Sequence, residues 1–175
     1  MFCPSLMFKY INLECRYRLR MNEKQETGIR KEKIVQAGVE MVFNALIEPE
    51  KITEWFQDEA SLDPRVGGKI RLVTLKEMHP DWKLDRDYYM DGTIIEFVPN
   101  KSLSYTWKFD DIPDFPETYV TWELEQIKPK KTKVKLAHIG FTGKEKGNFS
   151  IESHNQGWAE ALDKLAKYCE SFHYA

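Results

Sequence analysis

Two histidines are the candidates for acid–base chemistry in this sequence, because both lie near an apolar face of a predicted element. His138 shares one face of a predicted strand with Val134 and Leu136, and His154 stands just before Gly157-Trp158 in a predicted helix. An imidazole in a pocket can act as a general acid or base near neutral pH. Each histidine could equally satisfy backbone groups, cap the helix or face solvent. The sequence leaves these interpretations open.

Other kinds of chemistry have no signal in the sequence. It contains no phosphate-binding glycine loop, no dinucleotide fingerprint, no paired histidines at helical spacing and no nucleophile elbow. His79, Asp81, Asp85 and Asp87 carry ligand atoms that metals use, but they lie in a proline-containing stretch typical of a solvated loop. We therefore expect no metal, no cofactor and no defined catalysis.

A set of large aromatic side chains is predicted to face inward. A concave apolar surface with few polar groups suits a small apolar ligand, although the same side chains could simply fill the core. Together with the two histidines, the candidate cavity residues are Trp55, Phe56, Tyr105, Trp107, Trp122, His138, Phe141, His154 and Trp158.

The element that must cover these side chains is a helix predicted over 150–172. Its apolar residues recur at steps of three and four, which predicts a wide buried stripe. The stripe comprises Trp158, Ala161, Leu162, Leu165, Tyr168, Cys169 and Phe172. Ser150 or Ser153 can cap the start of the helix.

Upstream of this helix the pattern predicts one strand, two short helices and a series of antiparallel strands. The first strand is predicted over 29–36, helical spacing follows from Val39, and Pro49 is suited to begin the second helix. The later strands are predicted over 69–78, 88–98 and 102–109, then around 120–124 and over 132–139. Gly92, inside the second of these, indicates a bulge or bend. A meander with one apolar face requires a cover, so we expect an α+β fold closed by the last helix.

Composition sets the broad class of the protein. A chain of 175 residues with a net charge of −2 is long enough for one core and gives no global reason to expect nucleic acid. No apolar run approaches the roughly 20 residues that span a bilayer. Three widely spaced cysteines favour a reducing compartment, hence the cytoplasm.

The domain is predicted over residues 28–175. Residues 1–27 are predicted to be an extension of undefined structure, with an added strand or arm as the alternative.

Several stretches together carry a resemblance to a known family. They are Ala37 to Trp55, Asp63 to Gly68 (Asp-Pro-Arg-Val-Gly-Gly), Gly92 to Trp107, Thr132 to Phe141 (ending His-Ile-Gly-Phe), and Gly157-Trp158 followed by Leu162 and Leu165. Their order and spacing resemble the START-like (SRPBCC) superfamily, and within it the branch related to the activator of the 90-kDa heat-shock-protein ATPase. One departure is Gly38-Val39, where the family usually has a polar cap followed by proline.

The resemblance implies a helix-grip fold. In that fold a curved antiparallel sheet of about six or seven strands wraps a long C-terminal helix, with two short helices after the first strand and a pocket beneath the long helix. It also implies a small hydrophobic-ligand-binding or stress-related protein. The alternatives are a chaperone cofactor acting through its surface and a cyclase- or dehydratase-like enzyme that uses the cavity. The expected partners are accordingly a small apolar or aromatic ligand or a chaperone, without nucleic acid or a membrane span.

Overall fold

The computed structural model describes residues 28–172, so the predictions for residues 1–27 lie outside the described part of the chain. The strands are β1 (Gly28–Val35), β2 (Glu59–Leu62), β3 (Lys69–Thr74), β4 (Tyr88–Val98), β5 (Ser102–Trp107), β6 (Thr118–Lys128) and β7 (Lys131–Ile139). The helices are α1 (Val39–Ile47), α2 (Pro49–Trp55) and α3 (Ile151–Ser171).

The strands form one antiparallel sheet of seven in the order β1-β7-β6-β5-β4-β3-β2. Strands β2 to β7 follow one another as a meander, and β1 joins the far edge beside β7. The register pairs Tyr105 with Val120 and Val120 with His138, so these inward residues lie side by side across three strands. The predicted α+β helix-grip architecture, with the curved sheet closed by the long C-terminal helix, is confirmed.

Two strand predictions are wrong in detail. The strand predicted over 69–78 ends at Thr74, and Lys76–Met78 forms a 3-10 turn instead. Asp87 accepts a hydrogen bond from the backbone N–H of Lys76, which holds the chain in the loop at this point. The short edge strand Glu59–Leu62 was not predicted, because four residues give too little alternation to recognise.

The two short helices form a compact pair against the sheet. As the departure at Gly38 indicated, α1 begins without a side-chain cap, whereas Pro49 occupies the first turn of α2 as predicted. Nε1 of Trp55, at the end of α2, donates to the carbonyl oxygen of Ala45 in α1 at 3.0 Å. This bond fixes the angle between the helices and turns the Trp55 ring toward the sheet.

Helix α3 buries most of the predicted stripe. Oγ of Ser150 accepts from the N–H of Ser153, which confirms the expected cap. Cys169 is fully buried, and burial raises the pKa of its thiol to about 12, so it fills space without reactivity. The inclusion of Phe172 in the stripe is wrong. Its side chain is 50% exposed, because α3 ends at Ser171 and the ring meets Tyr168 edge-on at the surface.

The helices within residues 28–172 were also assessed as membrane spans. None of them combines the length and the apolar character that crossing a bilayer requires.

Candidate functional site

His138 lies at the centre of a buried hydrogen-bond network that joins β6, β7 and α3. Its Nδ1 accepts from Nε1 of Trp158 at 2.9 Å, and its Nε2 lies 2.8 Å from Oγ1 of Thr118. The Thr118 hydroxyl donates to the carbonyl oxygen of Trp107 at 3.0 Å, so it accepts from Nε2–H of His138. The network therefore assigns one neutral tautomer, with the proton on Nε2.

The surroundings of His138 disfavour its charged form. Burial lowers the pKa of His138 well below its ordinary value, and the neighbouring His154 lowers it further. A second proton would have to enter at Nδ1, where it would meet the N–H of Trp158. Both nitrogens are thus engaged, Nδ1 with Trp158 of α3 and Nε2 with Thr118 of β6, which favours a structural role for His138 over proton transfer.

Stability is expected to fall as the pH drops below about 6.5, the ordinary pKa of histidine in an unfolded chain. Because the folded pKa of His138 is lower, the unfolded chain binds more protons in this range. The free energy of unfolding then decreases by up to about 1.4 kcal/mol per pH unit for each such histidine. Well above that pH both states are neutral and the effect disappears. Urea unfolding between about pH 5.5 and 7.5, above the range of most carboxylates, measures the slope.

The control for this pH dependence is His138→Asn. The asparagine can still accept a hydrogen bond from Trp158, but it has no proton to gain in this pH range. We expect a smaller slope in this variant, together with lower stability at every pH because the bond to Thr118 is lost. If the slope were unchanged, His138 would not be its source, and His154 would be the next group to test.

The centre of the interface between the sheet and the helices is filled by aromatic side chains. Nε1 of Trp122 donates to the Tyr105 hydroxyl at 3.2 Å, and the Trp122 ring packs edge-on against Trp55 and Trp158. The space left beside Tyr105 and Trp122 is about 10 Å³, which holds at most one water molecule. The middle of the sheet is therefore solid core.

Two adjoining hollows open beside the N-terminal half of α3. The Phe56 hollow has a volume of about 170 Å³, and the Phe149 hollow has a volume of about 350 Å³. Both are bordered by Trp82, Asn148, Ser153, His154, Gly157 and Glu160. Aromatic side chains form part of each wall, namely Phe56, Trp107 and Trp158 in the first and Tyr88, Phe109 and Phe149 in the second. The remaining lining residues are Gln57, Ala161 and Lys164 in the first and Thr74, Leu84 and Gln156 in the second. The candidate site is therefore displaced from the centre of the sheet to this end of α3.

A larger hollow of about 510 Å³ lies between α2 and the C-terminal half of α3. Four charged side chains line it, namely Glu54, Asp58, Lys164 and Lys167, whereas the Phe56 hollow has two, Glu160 and Lys164, and the Phe149 hollow has one, Glu160. An apolar ligand would have to desolvate these groups, which costs free energy without a compensating contact. We therefore take the Phe56 and Phe149 hollows as the candidate ligand site.

Gly157 opens the wall that the two hollows share. It lies within α3, where glycine is unfavourable by about 1 kcal/mol relative to alanine. A Cβ added at this position would meet no heavy atom within 4 Å. Glycine is thus not required here to avoid a clash, and its missing side chain leaves open space where the hollows meet. The helix is less stable at this position than it would be with alanine.

Trp82 borders both hollows from the loop between β3 and β4, which the sequence indicated to be merely solvated. Its ring stacks on His79, with centroids 4.1 Å apart and planes at 19°. Nε2 of His79 lies 2.9 Å from Oδ2 of Asp58, and the same carboxylate oxygen accepts from the N–H of Leu75 at 2.7 Å. These contacts fix the loop, so Trp82 forms an outer wall although its side chain is 51% exposed.

The structure brings together only some of the residues predicted to line a cavity. Phe56, Trp107, His154 and Trp158 border the Phe56 hollow. Trp55, Tyr105 and Trp122 border the small filled space, and Trp55 also borders the large hollow between α2 and α3. Among the described residues His138 and Phe141 border none of these spaces. The sequence reasoning missed Trp82 and the open side of Gly157. A tryptophan inside a loop rich in aspartate was the one available signal for the former.

Trp107 carries an unusual polar atom in this wall. Within residues 28–172, its Nε1 is buried without a hydrogen-bond partner. The ring is surrounded by other rings, including His154 edge-on at 6.2 Å and Trp158 at 5.4 Å.

No group of three or more His, Cys, Asp or Glu side chains suited to a metal ion occurs within residues 28–172.

A comparison with protein families matches residues 36–170 to the model described as "Activator of Hsp90 ATPase homolog 1-like protein". A comparison with curated protein sequences gives no match. The matched residues run from the end of β1 to the end of α3 and so include every element that borders the hollows.

Solved structures share the fold at low sequence identity. The protein MLL2253 from Mesorhizobium loti is 23% identical, with 83% of this chain and 98% of that chain covered and a TM-score of 0.68. The Aha1 dimer from Colwellia psychrerythraea is 19% identical, with coverage of 82% and 96% and a TM-score of 0.64. PFC0360w, described as an HSP90 activator from Plasmodium falciparum, is 22% identical, with coverage of 76% and 88% and a TM-score of 0.58.

Proposed function

This chain belongs to the family of Activator of Hsp90 ATPase homolog 1-like proteins, and from that premise we propose that it binds a small, apolar, ring-containing ligand. The site is formed by the Phe56 and Phe149 hollows. The observation that carries the proposal is the missing side chain at Gly157. It leaves the buried aromatic side chains of the wall accessible from the surface at this position. Sites for small molecules are concave and mostly apolar with a few polar groups, as these hollows are.

The first test is a ligand screen. A panel of fatty acids, flavonoids and aromatic ketones is added while tryptophan fluorescence and thermal unfolding are followed. Trp82, Trp107 and Trp158 border the Phe56 hollow, so occupancy should change the fluorescence. Ligand at about 100 times its Kd should stabilise the protein by about 2.7 kcal/mol. Absence of both responses across all classes would reject the ligand function.

The variant Gly157→Leu is expected to weaken binding of any ligand found in that screen at least about tenfold. The leucine side chain would occupy the open space beside Gly157 and so fill part of both hollows. Leucine also favours the helix by about 0.8 kcal/mol over glycine, so the variant should fold. Titration of fluorescence measures the Kd. The matched control is Ala159→Leu, which adds a large side chain at an exposed position of the same helix. Equal loss of affinity in both variants would place the ligand elsewhere.

The proposal includes no catalysis. Both ring nitrogens of His138 are hydrogen-bonded. Burial raises the pKa of Tyr105 well above its ordinary value, and its hydroxyl accepts from Trp122 in the filled core. Neither His138 nor Tyr105 is therefore free to exchange protons with a ligand. Unchanged turnover in His138→Asn and Tyr105→Phe, for any activity that is found, would agree with this assignment.

Family membership supports a second candidate function, stimulation of a chaperone ATPase through the protein surface. Its test is ATP turnover by a cognate chaperone of the Hsp90 type at saturating concentrations of this protein. Unchanged turnover would reject this candidate.

The odd number of cysteines fits a reducing compartment, so we propose a cytoplasmic location for either function.

A further inference from the structure

The proton on His154 can be located from its hydrogen bond. Nδ1 of His154 lies 3.0 Å from the carbonyl oxygen of Ser150, one helical turn earlier. A carbonyl oxygen only accepts, so Nδ1 carries the proton and Nε2 of the neutral ring carries a lone pair. His154 and His138 therefore adopt opposite tautomers, because His138 carries its proton on Nε2.

The neutral form of His154 is favoured where it lies. Burial lowers its pKa, while the bond to Ser150 and the charge of Glu145 raise it by less. The groups packed around the ring are otherwise aromatic or neutral: Phe115 stacks on it at 5.8 Å, and Phe141, Trp107 and His138 meet it at steeper angles. The lone pair of Nε2 thus persists near neutral pH.

The acceptor on His154 is unused by the protein. Among the described residues, the one hydrogen bond of the His154 side chain runs from Nδ1 to the carbonyl oxygen of Ser150, which also accepts from the His154 backbone N–H. The ring borders both the Phe56 hollow and the Phe149 hollow. A partly buried acceptor without a partner is unfavourable unless water or a ligand donates to it. Because the ring borders both hollows, Nε2 is the polar atom of this side chain that is left to contact a molecule bound there.

The size of the site limits the ligand. The Phe56 hollow, about 170 Å³, is close to the roughly 150 Å³ apolar cavity that is known to hold benzene. It thus has room for one aromatic ring, although it is open to solvent on one side, and the adjoining Phe149 hollow has room for a second. Rings also suit the aromatic walls, which favour offset or edge-on packing.

We propose that the ligand of these hollows is a one- or two-ring aromatic alcohol whose hydroxyl group donates a hydrogen bond to Nε2 of His154. The inference rests on the proposed ligand-binding function and adds the class of ligand to it. The polar atoms of a ketone or a carboxylate are acceptors only, so these groups cannot donate a hydrogen bond to the Nε2 lone pair. An aromatic hydroxyl supplies both the ring and the donor.

The test compares three probes that differ in one group: 1-naphthol, 1-methoxynaphthalene and naphthalene. In the wild-type protein, 1-naphthol is expected to bind about 3- to 10-fold more tightly than its methyl ether, which is the usual strength of one hydrogen bond. In His154→Phe, which keeps an aromatic ring and removes the acceptor, the two should bind within about twofold. The same preference for 1-naphthol in both proteins would overturn the proposal.

A second measurement needs no substitution. The ¹⁵N resonance of His154 Nε2 should shift when 1-naphthol binds to the wild-type protein, and should shift much less with the methyl ether. Equal shifts with both probes would also overturn the assignment of the donor. If none of the three probes bound, this inference would fail, and the ligand-binding function would fail with it only if the wider screen also gave no response. If all three bound equally, and Gly157→Leu weakened their binding, the hollows would stand as the site and only the hydroxyl contact would be rejected.

Discussion

The variant Gly92→Ala is expected to lose at least about 3 kcal/mol of its free energy of unfolding. A Cβ at Gly92 would lie 2.1 Å from the carbonyl oxygen of Thr106 and 2.9 Å from Cγ2 of Ile70. The backbone cannot yield easily, because Asp91 and Lys108 exchange two backbone hydrogen bonds, at 2.9 and 3.2 Å, directly beside this point. Relief of the clash would break pairing between β4 and β5. Urea unfolding of both proteins measures the loss.

The matched control for Gly92→Ala is Gly157→Ala, the same chemical change at a position with open space. It should stabilise the protein by about 0.5–1 kcal/mol, because alanine is the better helix former and no contact is strained. A loss of less than about 1 kcal/mol in Gly92→Ala would show that the strand can shift at small cost. The outcome matters for the site, since β4 begins with Tyr88 in the wall of the Phe149 hollow.

The variant Trp158→Phe is expected to lose about 3 kcal/mol of stability. Trp158 is buried, and its ring packs against Phe56, Trp107 and Trp122. Phenylalanine would leave part of that volume empty and would also remove the N–H that donates to His138. The buried Nδ1 of His138 would then lack a partner, which adds to the cost. Urea unfolding at pH 7.5 measures the change with both histidines neutral.

The control for Trp158→Phe is Trp107→Phe. The two tryptophans are neighbours, and both are buried. Nε1 of Trp107 has no hydrogen-bond partner among the described residues, so this variant loses volume but no bond. We expect it to lose about 1–2 kcal/mol. Equal losses in the two variants would mean that the bond between Trp158 and His138 contributes little to holding α3 on the sheet.

Particular residues show how much of the fold local sequence patterns predicted correctly. Trp158 was placed on the buried stripe of the last helix because helical spacing is a local property, and the structure buries it. Gly92 was expected to mark a bulge or bend, but the register shift between β4 and β5 lies between Ile94 and Glu96. At Gly92 itself the structure shows a close approach to a carbonyl oxygen of β5. Phe172 was misplaced because the same spacing continues past the end of the helix, where there is no sheet left to cover it.

The candidate site could be predicted only in part. Phe56, Trp107, His154 and Trp158 were expected in a cavity and border the Phe56 hollow. Tyr105 and Trp122 were expected there by the same alternation, but they pack against each other and against the short helices until almost no space is left. Alternation indicates which side of a strand a residue faces, whereas the volume that remains on that side depends on the shapes of all facing side chains.

By itself the sequence determined the order of all elements except β2, most of the buried stripe of the last helix, and the family, because periodicity, turn residues and motif spacing all act over short stretches of chain. Only the tertiary structure decided what the two histidines do. His138 is engaged at both nitrogens by residues of β6 and α3, whereas His154 keeps a lone pair beside the hollows. Likewise, only folding brings Trp82 of a loop and Gly157 of α3 to the border of the same two hollows. Such contacts join residues that are distant in the chain. Their geometry follows from the packing of the whole fold, so no local sequence pattern predicts it.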